Sequence, residues 1–193
     1  ASKKGVNLPN TKISIPTITD KDYRDLYFCI KHHVEWVALS FVRKGQDIID
    51  LKEFIKKENG ECKVIAKIEK PDAIKNLNSI ILNADALMVA RGDLGVEIPT
   101  QKVPVLQKKI IRASRRKAKP VIIATQVMES MMTNLVPTRA ETNDAASAVF
   151  DGADALMLSG ETSIGKYPVR VVRTISKIII DVEASDERKH FNK

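Results

Sequence analysis

A lysine and a glutamate stand two residues apart at the end of the apolar run Val64-Ile65-Ala66-Lys67-Ile68-Glu69. A strand repeats every two residues, so such a run points Lys67 and Glu69 to one face. Neither side chain is cheap to bury unpaired. A chain that keeps both at the mouth of a buried strand is expected to use them for a charged ligand or a metal. The next apolar run, Ala86 to Ala90, ends in Arg91-Gly92-Asp93-Leu94-Gly95. Carboxylates at neighbouring strand ends, Glu69 and Asp93, suit a hard divalent cation such as Mg2+ or Mn2+, which takes few protein oxygens and leaves positions for substrate oxygens. Pairing of these acids with Lys67 or Arg91 is the plain alternative, and spacing leaves both open. No His or Cys shows zinc-ligand spacing, and His32 and His33 fall at the end of a predicted helix, as surface residues.

Other strand ends add polar groups to the same mouth. Gly92 lets backbone approach a ligand closely, and a short helix after it would offer N–H groups to a carboxylate or phosphate. Thr125 puts a hydroxyl at the end of Pro120-Val121-Ile122-Ile123-Ala124, useful in a proton path, although a buried Thr bonding a carbonyl is the bland reading. Arg91, and Ser159 and Glu161 in Ser159-Gly160-Glu161-Thr162, are placed behind these as supports.

The elements that must position these groups alternate between helix and strand. Thr19 caps a predicted helix carrying Tyr23, Leu26, Tyr27 and Ile30, and a strand follows over Trp36–Val42. A helix with Ile48, Leu51, Phe54 and Ile55 ends at Asn59-Gly60. One helix is expected around Ile74, Leu77 and Ile81, a basic one from about Gln101 to Lys117, one opened by Pro137-Thr138 with a capping box to Glu141, and a last from Pro168 to Glu183. Continuous apolar strands between amphipathic helices predict an α/β fold with a helix-covered parallel sheet. Ala84-Asp85-Ala86-Leu87-Met88 recurs as Ala153-Asp154-Ala155-Leu156-Met157, two strand-helix units on. An open doubly wound sheet and part of an eight-stranded barrel both remain. Polar residues at nearly every strand end favour the barrel, which gathers all those ends at one mouth. No glycine-rich dinucleotide fingerprint or P-loop follows a strand.

Composition narrows the partners. The chain has 193 residues, 44% hydrophobic and 29% charged, as ordinary globular proteins do. No apolar run reaches the length of a membrane span, and Ala1-Ser2-Lys3-Lys4 leads into no signal-type apolar stretch. The two cysteines, Cys29 and Cys62, read as reduced thiols of a cytoplasmic protein. The net charge of +8 concentrates at Lys108, Lys109, Arg112, Arg115, Arg116, Lys117 and Lys119, the solvated side of an amphipathic helix. Only 5% of residues are aromatic and none interleaves with these bases, so a nucleic-acid stacking platform is missing.

Five stretches in series resemble the signatures of the pyruvate kinase family. They are Cys62–Ile74, Met88–Pro99, Ala124–Met131, Pro137–Glu141 and Leu158–Thr162, and Lys4-Gly5-Val6-Asn7-Leu8-Pro9 resembles that family's return from its lid domain. The resemblance runs from about Lys3 to Glu183, with Ala66 where many members carry Ser. It implies a partial (β/α)8 barrel over 19–184, about five parallel strands with six helices, between a return segment at 1–18 and a frayed polar tail at 185–193. It assigns Lys67 to the phosphoryl group in flight, Glu69 and Asp93 to Mg2+ or Mn2+, and Gly92 and Asp93 to the turn that binds the substrate carboxylate. Thr125 matches a substrate-contacting hydroxyl in the proton path.

The implied reaction is the glycolytic transfer of a phosphoryl group from phosphoenolpyruvate to ADP, giving pyruvate and ATP. In the family a K+ ion also takes part, with ligands mostly outside this chain, and the intact enzyme is a homotetramer. The barrel's first three strands, the lid and a C-terminal regulatory domain have no counterpart here, so the 193-residue chain alone is expected to be inactive. Two other readings stand beside it. One is a metal-dependent aldolase or lyase of the phosphoenolpyruvate/pyruvate type, which the Lys-x-Glu pair and Ser-Gly-Glu-Thr segment oppose. The other is a non-catalytic basic binding module, supported only by the helix at 108–119.

Overall fold

The computed structural model describes residues 16–185, so most of the expected return segment and all but the first residue of the polar tail lie outside the described residues. Thr19 caps α1 (Asp20–Lys31) through a capping box with Asp22. There follow β1 (Trp36–Leu39), α2 (Gly45–Lys57), β2 (Lys63–Ile68), α3 (Pro71–Lys75), α4 (Leu77–Asn83), β3 (Ala86–Ala90), α5 (Arg91–Glu97) and α6 (Val103–Arg115). The order closes with β4 (Val121–Ala124), α7 (Arg139–Phe150), β5 (Ala155–Met157), α8 (Gly160–Ser163) and α9 (Pro168–Ala184). Two 3-10 turns, Thr100–Lys102 and Glu129–Met132, precede α6 and follow β4.

All strands pair in parallel, in the order β1-β2-β3-β4-β5. A doubly wound sheet must reverse its strand order at a switch point, and this one never does. The fold is therefore an arc of a (β/α)8 barrel, with the sheet open within the described residues and β1 and β5 each paired on one side only. Every residue of the central strand β3 is buried, whereas β5 has none that is fully buried. Ile48, Ile68, Leu87, Ile110, Ile111 and Ile123 form the main core between sheet and helices. A second cluster of Val127, Met128, Met131, Ala145, Val171 and Ile175 packs α7 and α9 against the loop after β4, and Leu156 touches both clusters.

The internal repeat has a bonding cause. Asp85 Oδ2 accepts the Val64 N–H at 2.8 Å, and Asp154 Oδ2 accepts that of Val121 at 2.8 Å. Each aspartate thus fixes the start of the preceding strand. On Asp85, burial works to raise the carboxyl pKa, but Lys52, the Val64 N–H and the charge of Lys119 outweigh it and leave the pKa below the ordinary value.

Several elements differ from the sequence expectation. The described residues hold nine α-helices rather than six, because α5 and α8 are single short helices after strands and the helix expected around Ile74–Ile81 is two. Asn76 ends α3 and opens α4, and its Nδ2 donates to the Arg43 carbonyl at 2.8 Å. The expected strand 36–42 stops at Leu39, because Phe41 turns to a left-handed φ of 56° and sends its N–H to a carboxylate instead of to the sheet. On α6 the apolar side is buried as expected, along with Gln107 and Ser114, and the basic side is exposed, with Lys108 paired to Asp151 at 2.6 Å. Cys29 and Cys62 are both free. Among the described residues, no helix is long and apolar enough to cross a membrane.

Candidate active site

Lys67 is the inner side chain of a small network at the C-terminal end of β2. Its Nζ lies 2.7 Å from Glu69 Oε1 and donates to Ser40 Oγ at 2.8 Å. The other Glu69 oxygen, Oε2, accepts the Phe41 N–H at 2.9 Å. Glu69 is 2% exposed at its side chain and Lys67 24%. The carboxylate is therefore built into the wall while the lysine side chain stays partly exposed. Of the alternatives left open by spacing, the Lys67–Glu69 ion pair is present. That pairing engages one carboxylate oxygen and the Phe41 N–H the other, and neither contact excludes a metal.

Arg91 does not pair with Asp93. It lies under the end of β4, where Nε and Nη2 donate to the Thr125 carbonyl at 3.2 and 2.8 Å, Nη2 also reaches the Gln126 carbonyl at 2.9 Å, and Nη1 pairs with Asp144. Those two carbonyls belong to consecutive left-handed residues, Thr125 at φ 66° and Gln126 at φ 52°. Such a backbone is unusual, above all for a β-branched residue. A nearly buried guanidinium that collects both carbonyls is what holds the turn.

The turn aims Thr125 at α5. Gly92 N–H donates to Thr125 Oγ1 at 2.8 Å, and that hydroxyl donates to the Ala124 carbonyl at 2.7 Å. A Cβ on Gly92 would stand 3.3 Å from Thr125 Oγ1, so glycine permits this approach. The Thr125–carbonyl bond foreseen as the bland reading is present, alongside a contact to the Gly92 backbone that spacing did not show. Asp93 is exposed in the first turn of α5, and among the described residues its carboxylate has no ion-pair partner.

The sheet register sets Ile68 beside Val89, so Glu69 and the Gly92-Asp93 turn leave adjacent strand ends. Among the described residues no group of three or more His, Cys, Asp or Glu side chains gathers as a metal cage. A pair of carboxylates is what Mg2+ ordinarily takes from a protein when substrate oxygens and waters complete its shell. The donor set, one wall carboxylate and one exposed carboxylate, fits that ion. A cleft of about 460 Å³ is lined by Arg91, Gly92, Val96, Pro104, Gln126 and Asp144. Neither Lys67 nor Glu69 lines it, and Gly92 is the residue it shares with the candidate site.

Ser159 and Glu161 sit farther round. Glu161 is buried and accepts the Met128 N–H at 3.1 Å and the Ser159 N–H at 2.8 Å, which ties the loop after β4 to the end of β5. Sequence reasoning gave no role to Ser40, Lys70, Glu97 or Asp144. Ser40 and Lys70 stand in the polar clusters at strand ends, where that position was the available signal, whereas Glu97 ends α5 and carried none. Asp144 lies inside α7 and carried none.

The comparisons agree along the chain. A family profile described as "Pyruvate kinase, barrel domain" matches residues 1–172. A pyruvate kinase of Mycobacterium tuberculosis is 53% identical over 183 residues, which is 95% of this chain and 39% of that protein. One from Staphylococcus aureus is 47% identical over 188 residues, 97% of this chain and 32% of that protein. The crystal structure of a pyruvate kinase from Cryptosporidium parvum superposes with a TM-score of 0.90 at 41% identity, over 93% of this chain and 38% of that one. The chain thus spans about a third to two fifths of the length of these curated relatives.

Proposed function

The chain belongs to the pyruvate kinase family, and on that premise we propose that its mouth serves phosphoryl transfer from phosphoenolpyruvate to ADP. The observation that carries the reading is Lys67, held between Ser40 Oγ and Glu69 Oε1 and still partly open, on the strand next to β3, after which Gly92 bonds to Thr125 at the end of β4. Phosphoryl transfer asks a protein mainly for positioning and for positive charge on the moving oxygens. Lys67 supplies that charge from a fixed anchor. Glu69 and Asp93 would hold Mg2+ or Mn2+, which when bound neutralises charge on the phosphoryl and carboxylate oxygens.

The substrate carboxylate is met by the Gly92 N–H and the Thr125 hydroxyl, which bond to each other across 2.8 Å. A carboxylate there accepts from both, the Gly92 N–H leaving Thr125 Oγ1 and the hydroxyl leaving the Ala124 carbonyl. Transfer leaves the enolate of pyruvate, whose methylene carbon must take up a proton. The Ala124 carbonyl cannot furnish one, so Thr125 acts as a relay for a proton that reaches it from water.

The test is pyruvate formation from phosphoenolpyruvate and ADP with Mg2+, in a protein of the relatives' full length that carries this segment. Lys67→Met is expected to lower turnover by about 100-fold or more, as loss of a preorganised charge stabiliser does. Near-normal turnover in that variant rejects the role. The 193-residue chain assayed alone is expected to form no ATP, since the five strands of its described residues do not close a barrel.

A further inference from the structure

We propose that Lys70 and Glu97 form a positioning bridge that fixes the two metal-holding segments relative to each other. The inference rests on the metal reading of Glu69 and Asp93 given above. Lys70 follows Glu69 directly, and Glu97 lies one helical turn after Asp93 on α5. Lys70 Nζ pairs with Glu97 Oε1 across 27 positions of sequence. One end of the bridge is thus a single residue from the wall carboxylate, and the other end is on the helix that carries the exposed one.

The pair is not a surface bridge. The Glu97 side chain is 7% exposed and that of Lys70 23%, so each would be left poorly solvated without the other. Lys70 Nζ also stands 5.5 Å from the centre of the Phe41 ring, and the Phe41 N–H holds Glu69 Oε2. Phe41, Glu69, Lys70 and Glu97 therefore form one connected set from the loop after β1 to the end of α5. The N-terminal end of α5 has its own fixings in Arg91 and in the Gly92–Thr125 bond. Lys70 is the polar fixing of its C-terminal end. Leu94, buried in the main core, and the Gly92–Thr125 bond hold the first turn of this seven-residue helix, and the Lys70 bridge, one turn beyond Asp93, sets the direction of the helix about them and with it the direction in which Asp93 projects.

Residues that orient metal ligands change affinity by about 10–100-fold when removed. The experiment is a Mn2+ titration followed by the electron paramagnetic resonance of the free ion, on a protein of the relatives' full length carrying this segment. Lys70→Met and Glu97→Gln are each expected to weaken Mn2+ binding about 10-fold, and the exchange Lys70→Glu with Glu97→Lys to recover most of it. Thermal unfolding in chelator runs alongside. Reduced unfolding temperature with unchanged Mn2+ affinity overturns the proposal, because the bridge then serves stability alone. If a single variant does not fold, the exchanged pair decides: recovered affinity supports positioning, and lost affinity overturns it. Glu69→Gln separates the two readings. Unchanged Mn2+ affinity in Glu69→Gln defeats the metal reading and this one with it. Loss in Glu69→Gln with none in the bridge variants defeats the bridge alone.

Discussion

At both ends of the sheet a carboxylate takes a backbone N–H from the neighbouring strand or loop, yet the two ends hold different things with it. At the base, Asp85 and Asp154 bind the N–H groups of Val64 and Val121, which begin β2 and β4 in extended geometry. The backbone N–H of each aspartate returns to the same residue's carbonyl, at 3.0 and 2.9 Å, so each base contact is a closed two-bond ring. At the mouth, Glu69 binds the N–H of left-handed Phe41, and Glu161 binds that of Met128, two residues past the left-handed pair Thr125-Gln126. Residues in that region cost on the order of 1–3 kcal/mol each. The base contacts set register, and the mouth contacts hold loops that would otherwise relax. Barrels divide their ends in this way, with stability at the bottom and chemistry at the top.

The sharpest way to break the comparison is to remove one clamp from each end. Glu161→Ala strips the partner from two N–H groups at a buried position. Each orphaned group costs about 1–3 kcal/mol, so urea denaturation is expected to show a loss of about 2–5 kcal/mol. Asp85→Ala removes one backbone acceptor and the partly exposed Lys52 pair, and is expected to cost about 1–2 kcal/mol. The mouth variant should also lower activity in the full-length protein beyond its effect on folded fraction, through the Thr125 turn. Asp85→Ala should leave the activity of the folded fraction unchanged. Equal activity loss per unit of stability lost would erase the distinction between the two ends.

Much of the scaffold was legible because its causes are local. A run such as Ala86–Ala90 is apolar throughout because β3 is buried throughout, and Thr138 with Glu141 forms the capping box its spacing announces. What stayed hidden depends on partners far along the chain. Phe41 and Val42 look like more strand, and only Glu69, 28 residues on, shows why the strand has already ended. Arg91 reads as a neighbour for Asp93, but its guanidinium is taken by carbonyls 34 and 35 residues away and by Asp144. The aspartate repeat was visible as a pattern, and its function was not, since each partner N–H lies 21 or 33 residues earlier. At the site, residue types marked Lys67, Glu69, Asp93 and Thr125 for attention. The strained turns that aim them follow from long-range hydrogen bonds, which a sequence pattern does not record.

The smallest expected effect separates the base clamp from the rest by its charge. Asp85 is held below its ordinary carboxyl pKa of 3.8: burial alone would raise it, but Lys52, the Val64 N–H and Lys119 favour the ionised form more strongly. A carboxyl whose pKa is lower folded than unfolded binds more protons in the unfolded chain at intermediate pH, so its contribution to stability grows as pH rises through that interval. The contribution is complete above the unfolded value and fades as pH falls below about 4 toward the lowered folded value. Glu141 behaves alike: burial opposes ionisation, and bonds from Ser130 and Thr138 more than offset it, leaving the pKa below 4.5. Asp85→Asn should therefore flatten the acid side of the urea-midpoint profile below about pH 4 and leave its shape between pH 6 and 8 unchanged. An acid limb as steep as that of the parent chain would mean that Asp85 holds Val64 by its oxygen alone, with no net benefit from its charge.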